Sequence, residues 1–503
     1  MVKEKFKSKG GFILASIGAA VGLGNALRFP GLCAKYGGGA FLLIYFVALI
    51  ILGVPLLNAE IALGRKFSGG APKCMSSLKK GGEKLGWASC VNSLLTAVIY
   101  AGLAGWLLIM VIAVVPLAFE AHTLSQNEIS GYFFSEILYT RNDPVISGVS
   151  LYVCLGIACA WGLMFFCLRG GAGSLSKAAK LTVFVPMALL TVMAVRGMFY
   201  ENAKEALAAL FLPDFSALSS PELWVGALGQ VFFSLSVAVG IMPAFGSYLP
   251  EGTDIFRCSL VIAAADFFVS VLASVVMFTT LYGCGAQGEI GQSAIITAFS
   301  VYPVAICSLF GGNAVLNSIC GVLFYSSLSM LAVQSAVSMA EAFVSPFASE
   351  FGMKKKNVVA AVCIMGGAVS LVYANSAAAV IVSITDRFVN FYNVLVLGAA
   401  ECLLIGWSKE GKTLSDEVNR FTGKLKMPPE IFRISLKFLS PAVLFSLTIT
   451  ELIRLVLNGL GYPAWAEFGF GWGLSLAVAV TAFVISLLLK PRPLRVKRLP
   501  PFA

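Results

Sequence analysis

Charge is scarce in this chain. Only 12% of its 503 residues are Asp, Glu, Lys or Arg, where a soluble domain carries about 25%. With 58% hydrophobic residues, this excludes an ordinary soluble enzyme and a disordered or collagen-like chain. Histidine is nearly missing, with His122 the only one, so a histidine-built metal site or general base is excluded. The twelve Cys are spread so that no CxxC occurs; metal and redox motifs are therefore absent, and the cysteines read as small buried hydrophobes. Low-complexity stretches and a soluble domain are lacking too. The amino-terminal MVKEKFKSKG resembles a signal n-region, but no A-x-A site follows and Asn25 and Arg28 interrupt the apolar stretch. It is read as a retained first span.

What is present is hydrocarbon-length apolar sequence. Twelve spans are expected, over about 11–33, 39–63, 88–118, 147–168, 178–199, 222–248, 258–284, 313–345, 358–374, 377–407, 432–458 and 468–489. Each approaches the roughly 20 residues a membrane helix needs. Their continuous rather than alternating character argues against a β-barrel. Of 36 Lys and Arg residues, 29 fall in the amino tail, the carboxyl tail and the loops of one side. Six fall on the other side, and Arg28 lies inside the first span. The positive-inside rule puts both termini in the cytoplasm of a multi-pass cell-membrane protein, plasma or inner membrane, and accounts for the net charge of +11.

Two spans are interrupted alike. In GAAVGLGNALRFPG, Gly18, Gly22 and Gly24 precede Pro30; in GQVFFSLSVAVGIMPAFGSY, Ser234, Ser236 and Gly240 precede Pro243. Gly and Pro in mid-span free backbone groups that hydrocarbon cannot bond, so such backbone lines a polar cavity. The interrupted spans are the first and the sixth, the leading members of two five-span halves. That spacing points to an inverted repeat, about 11–199 and about 222–407, with a midplane site between broken helices and two additional helices at about 432–489.

The stretch AAVGLGNALRFP, with YGGGAFLLIYFVALIILGVPLLNAEIALGR after it, resembles the neurotransmitter:sodium symporter family and its bacterial LeuT-like members. Tyr100 with Trp106, GQVFFSLS, GSY at 246–248, SAVSMAE at 335–341, and Asp386 with Glu401 extend the likeness along nearly the whole chain. LeuT is the type example of the broken-helix architecture. The resemblance implies an all-α integral membrane protein with twelve spans and a 5+5 inverted repeat, which is a symporter and not an enzyme.

The same resemblance assigns residues. A first sodium site would use the Ala20 carbonyl with Asn25, Ser234 and Asp266, hard oxygen donors suited to Na⁺. Asp266 stands where other members carry Asn, and Ser270 matches a chloride-site position; the fixed acid implies that chloride is not required. A second sodium site would use carbonyls at Gly18, Val21 and Leu331 with Gln334 and Ser335. At Gln334 two readings stay open: an amide oxygen ligating Na⁺, or an NH₂ filling the cation's place. One or two Na⁺ are therefore expected. The amide groups of Leu23 and Gly24, with the Tyr100 hydroxyl, would receive a substrate carboxylate. Phe233, Ser234, Ser236, Val239, Met339 and Thr96 would line the remainder. Gly22 replaces the acid of monoamine carriers, which favours a neutral, hydrophobic amino acid. An outer gate would pair Arg28 with Asp386 under Gln230 and the lids Tyr100 and Phe233; an inner one would use Lys3, Tyr248 and Glu350. The expected activity is sodium-coupled import of that amino acid by alternating access. The alternatives are a non-transporting sensor on the same scaffold and a carrier with one sodium site. A membrane enzyme lacks the residues for chemistry, and no nucleic-acid partner is expected.

Overall fold

A computed structural model describes residues 5–140, 146–286, 288, 293–459 and 461–489. Among them the architecture is helical, relieved by two isolated bridges, Gly38 to Pro213 and Val149 to Asn375. The principal helices are α1 (Lys9–Ala20), α2 (Gly24–Lys35), α3 (Gly39–Phe67), α4 (Glu83–Glu120), α5 (Leu151–Leu168), α6 (Gly171–Gly197) and α7 (Pro221–Ser234). They continue with α8 (Ile241–Ser247), α9 (Ile255–Gly283), α10 (Ala314–Phe351), α11 (Lys355–Ala374), α12 (Ala378–Trp407), α13 (Pro429–Leu457) and α14 (Ala464–Leu488). Ten of these are long and apolar enough to cross a membrane, or eleven if the bent pair α1–α2 is one span. The expected sixth span is present as α7 and α8, of 14 and 7 residues, divided by residues 235–240.

The first break follows from its residues. α1 is capped by Ser8, whose hydroxyl accepts the Gly11 N–H at 3.1 Å. It ends at Val21, which is extended, and the chain resumes as α2 at an angle of 52°. Pro30 comes just after the π-helical turn Gly24–Arg28 that opens α2.

The second break is more strained. Ser236 and Ala238 take positive φ of 51° and 63°, a region that costs side-chain-bearing residues about 1–3 kcal/mol each. Hydrogen bonds hold it. Ser236 Oγ donates to the Ala19 carbonyl at 2.9 Å, tying the two breaks together. The Ala238 N–H donates to Glu60 Oε1 of α3 at 2.6 Å. α3 and α8 then touch backbone to backbone: a Cβ on Gly64 would stand 2.2 Å from the Pro243 carbonyl oxygen.

The 38-residue helices α4 and α10 form the central scaffold. Indole donors fasten neighbours to it: Trp106 Nε1 to the Tyr373 carbonyl at 2.8 Å, and Trp161 Nε1 to Ser370 Oγ at 3.0 Å.

Because a buried N–H without an acceptor costs about 1–3 kcal/mol, Glu60→Ala should lower thermal stability by that amount. Glu60→Gln, which keeps a carbonyl oxygen at the same reach, should retain most of it. Thermal unfolding of the detergent-purified protein decides the matter; equal losses in both variants would assign the effect to charge rather than to the Ala238 hydrogen bond.

Candidate functional site

The two breaks face each other across a cavity walled by α1, α2, α4, α7, α10 and α12. Gly24, Thr96, Tyr100, Phe233, Ser234, Ser236, Val239 and Met339 all line it, with Ala20, Gly22, Asn25 and Ser335. Leu23 is buried but is not among its walls. Ala19, Ser93, Phe232, Val237, Asn390 and Val394 complete the lining and were not anticipated. A Cβ on Gly22 would meet Ser335 Oγ at 2.4 Å, so a side chain there requires that hydroxyl to turn away; with glycine the cavity has no acid at that point. The Gly22 N–H donates to Asn25 Oδ1 at 3.0 Å. Among the described residues no acceptor engages the N–H of Leu23 or Gly24.

Beside the cavity lies a dry polar cluster around Asp266 of α9, which is 0% exposed. Its Oδ1 accepts from Asn25 Nδ2 at 2.7 Å; its Oδ2 accepts from Tyr45 at 2.7 Å and Ser234 at 3.0 Å. Asn25 Nδ2 also reaches Ser270 Oγ at 2.8 Å. A buried carboxylate survives only when paired or well hydrogen-bonded, and three donors meet that need. The structure thus assembles Asn25, Ser234 and Asp266 with Ala20 close by. Tyr45, which stacks edge-on against Phe29 at 4.8 Å, joins this cluster from the stretch YGGGAFLLIY, where nothing in the local pattern marks it as a site residue.

Gly18, in the last turn of α1, lies against Gln334 of α10, and Val21 caps the end of α1. A Cβ on Gly18 would lie 2.8 Å from Gln334 Cγ. Gln334 Oε1 accepts from Thr182 of α6 at 3.0 Å. Leu331 is buried one helical turn from Ser335 on the same helix.

The outer gate departs from expectation. Arg28 and Asp386 form no ion pair. The Arg28 guanidinium stacks over Phe233 at 4.7 Å and Phe391 at 5.4 Å, where ring quadrupoles stabilise a desolvated cation. Asp386 Oδ1 instead accepts from Asn390 Nδ2 at 2.7 Å. Asn390 Oδ1 in turn accepts the Thr96 hydroxyl at 2.5 Å. One amide therefore links the cavity wall to the acid, and this satisfies Asp386 without Arg28. Gln230 is buried and its Nε2 reaches the Gly24 carbonyl at 3.5 Å.

On the inner side Lys3 lies outside the described residues. Tyr248 Oη is 2.8 Å from Glu341 Oε1 and 2.5 Å from Ser345 Oγ, and Lys355 Nζ is 2.6 Å from Glu341. Glu350 sits half-buried near the end of α10. The Phe6 N–H donates to the Tyr248 carbonyl at 2.9 Å, and the Phe6 ring packs edge-on against Phe245 and Tyr248. Lys5 bonds Glu251 at 2.8 Å, and that ammonium holds the exposed Glu251 carboxyl below its ordinary range. Glu341 falls in the motif SAVSMAE, which was a signal for the family and gave no hint of its partner.

Comparison with known proteins joins this geometry to a lineage. The family model of the Sodium:neurotransmitter symporter family matches residues 3–118 and 113–491. The chain belongs to that family. An uncharacterized sodium-dependent transporter of Methanocaldococcus jannaschii is 29% identical over 97% of this chain and 98% of its own. The sodium- and chloride-dependent taurine transporter of Rattus norvegicus is 28% identical over 98% of this chain and 86% of its own. The mouse sodium-dependent neutral amino acid transporter B(0)AT3 is 25% identical over 92% and 86%. MhsT, solved in complex with L-phenylalanine, shares the fold with a TM-score of 0.74 and 24% identity, over 89% of this chain and 99% of MhsT. With its many apolar helices, this family member is a multi-pass membrane protein of a sodium-dependent transporter family.

Asn390→Ala leaves the Asp386 carboxylate short of a partner, while the Thr96 hydroxyl keeps the Asn92 carbonyl at 3.0 Å. A stability loss of about 1–3 kcal/mol is expected. Asn390→Asp sets two carboxylates together and should lose more. Melting temperatures of both variants check this ordering; an Asp variant as stable as the native protein would show that the amide bridge has no weight.

Proposed function

We propose that the protein is a sodium-coupled symporter that carries a neutral, hydrophobic amino acid into the cytoplasm by alternating access. The carrying observation is the position of Asp266. A wholly buried carboxylate stands beside the broken backbone, next to a cavity whose own walls bear no charged side chain. Asp266, the Ser234 hydroxyl, the Asn25 amide and the Ala20 carbonyl are hard oxygen donors of the type Na⁺ takes. The cation would supply the positive charge that this acid otherwise lacks nearby.

The free N–H groups of Leu23 and Gly24 open α2, and a helix start favours an anion. They suit a substrate carboxylate, with Tyr100 as a further donor. The apolar wall of Phe233, Val239 and Met339 suits an uncharged side chain. The relatives that transport neutral amino acids and the neighbour that binds L-phenylalanine support this substrate class. Arg28 over Phe233 closes the cavity on one side, and the Tyr248–Glu341–Lys355 cluster ties α8 to α10 and α11 on the other. We assign the halves 11–199 and 222–407 to the repeats that rock about this site, with helices 432–489 outside them and both termini cytoplasmic.

The test is uptake of a panel of labelled neutral amino acids into proteoliposomes. Replacement of external Na⁺ by choline should abolish uptake, and a decarboxylated amine should not compete. Unchanged uptake in choline would overturn Na⁺ coupling. Binding of an amino acid without counterflow would favour a sensor instead.

Asp266 also bears on chloride. Its fixed charge removes the need for a mobile anion, so gluconate should replace chloride without loss. Asp266→Asn keeps an oxygen and removes the charge. One charge at about 4 Å with an effective dielectric of about 20 amounts to about 4 kcal/mol before desolvation. After that offset we expect about a tenfold weaker half-saturation by Na⁺, or about 1.4 kcal/mol. Chloride dependence in the native protein, or unaltered Na⁺ affinity in the variant, would contradict this role.

A further inference from the structure

A helix that ends in an apolar interior leaves carbonyl oxygens that need a donor or a cation. At the end of α1 two of them are met from within the chain. The Ile17 carbonyl accepts the Val21 N–H at 2.7 Å, and the Ala19 carbonyl accepts the Ser236 hydroxyl at 2.9 Å. Among the described residues no backbone N–H outside the helix reaches the carbonyls of Gly18 or Val21. The negative end of the α1 dipole is concentrated at these oxygens.

Gln334 is pressed against this place. The residue is 1% exposed. Its Nε2 would be 3.1 Å from a Cβ on Gly18, so the amide lies directly on the α1 backbone. Its Oε1 is held on the far side by the Thr182 hydroxyl at 3.0 Å. Its Nε2 is buried and has no hydrogen-bond partner. An unmet donor and unmet acceptors therefore share one dry site, where each costs about 1–3 kcal/mol if left unpaired.

This arrangement does not fit Gln334 as a sodium ligand. The side chain has one oxygen able to bind a cation, and that oxygen is turned toward Thr182 of α6. The atom nearer α1 is a nitrogen with two N–H donors, which repels a cation rather than coordinating it.

We propose that the Gln334 carboxamide takes the place of a second Na⁺. Its unpaired Nε2 lies against the end of α1 as the donor available to the open carbonyls there, Thr182 orients it, and no ion is needed between α1, α6 and α10. The carrier then moves one Na⁺ with each amino acid. This rests on the reading of the protein as a Na⁺-coupled symporter, and it fixes the driving force: accumulation follows the first power of the Na⁺ gradient and not its square.

The experiment measures parallel fluxes of labelled Na⁺ and of labelled L-phenylalanine and L-leucine in proteoliposomes of the full chain. One Na⁺ per amino acid is expected, with uptake first-order in Na⁺. Two Na⁺ per amino acid in the native protein would overturn the inference, and that measurement needs no variant. Gln334→Glu is nearly isosteric but presents only acceptors to the α1 carbonyls, so it should require a cation there and become second-order in Na⁺. Gln334→Thr, which removes Nε2 and adds a hydroxyl beside Ser335, should also steepen the dependence. First-order behaviour retained by both folded variants would count against the substitution of a donor for an ion. Absence of any Na⁺-dependent amino acid uptake would instead defeat the functional reading, so the two failures are distinguishable.

Discussion

A helix broken in mid-membrane exposes N–H and C=O groups that lipid cannot bond, and the whole centre of this protein is arranged around that deficit. The second break has two side-chain-bearing residues in left-handed backbone, Ser236 and Ala238. It holds its shape because the Ala238 N–H is bonded to Glu60 and the Ser236 hydroxyl to the Ala19 carbonyl. The latter bond fastens one break to the other, so the two unwound segments are one hydrogen-bonded unit. The cavity, the Asp266 cluster and the site at Gln334 all border that unit. Each uses groups that a continuous helix would have consumed internally.

Small residues decide how closely these groups meet. A Cβ at Gly22 would stand 2.4 Å from Ser335 Oγ and require that hydroxyl to turn away. With glycine at this position no side-chain acid enters the cavity. An ammonium group on a substrate then has no fixed countercharge at this point, while the start of α2 offers donors to a carboxylate. On the proposed function, the polarity of the substrate would be set by backbone, and its side-chain class by Phe233, Val239 and Met339. Arg28 is kept away from Asp386 by the same economy: two aromatic faces receive the cation and the Asn390 amide receives the acid.

The membrane character and the places of both breaks were legible because hydropathy and Gly/Pro punctuation are local signals. GAAVGLGNALRFPG and GQVFFSLSVAVG announce freed backbone whatever surrounds them. Boundaries were less legible: α10 runs on to Phe351, six residues past the expected 345, since Pro346 sits within the helix and polar residues follow it. Partners were least legible. Tyr45, Thr182 and Asn390 each look like ordinary members of apolar helices, and only three-dimensional packing brings them to Asp266, Gln334 and Asp386. Arg28 and Asp386 show the opposite error. Two opposite charges in apolar sequence suggest a pair, yet each found a nearer neutral partner, which sequence spacing does not reveal.

The two flanks of the α1–α2 break are served by different chemistry, and the difference has a thermodynamic consequence. At Asp266 the proposed Na⁺ would stand beside oxygen donors, and the free energy of filling that place would vary with the Na⁺ concentration. At Gln334 the donor is covalently part of α10, so its contribution does not vary with any solute. An ion that must arrive before a segment is ordered makes that order conditional, whereas a tethered amide makes it permanent. On that proposal the contact between α1 and α10 would be constant through changes in Na⁺, and the contact between α2, α7 and α9 around Asp266 would be the one that responds. Sensitivity to the ion would then be confined to the flank that adjoins the cavity, where binding of Na⁺ and binding of a carboxylate would reinforce each other through the same broken turn.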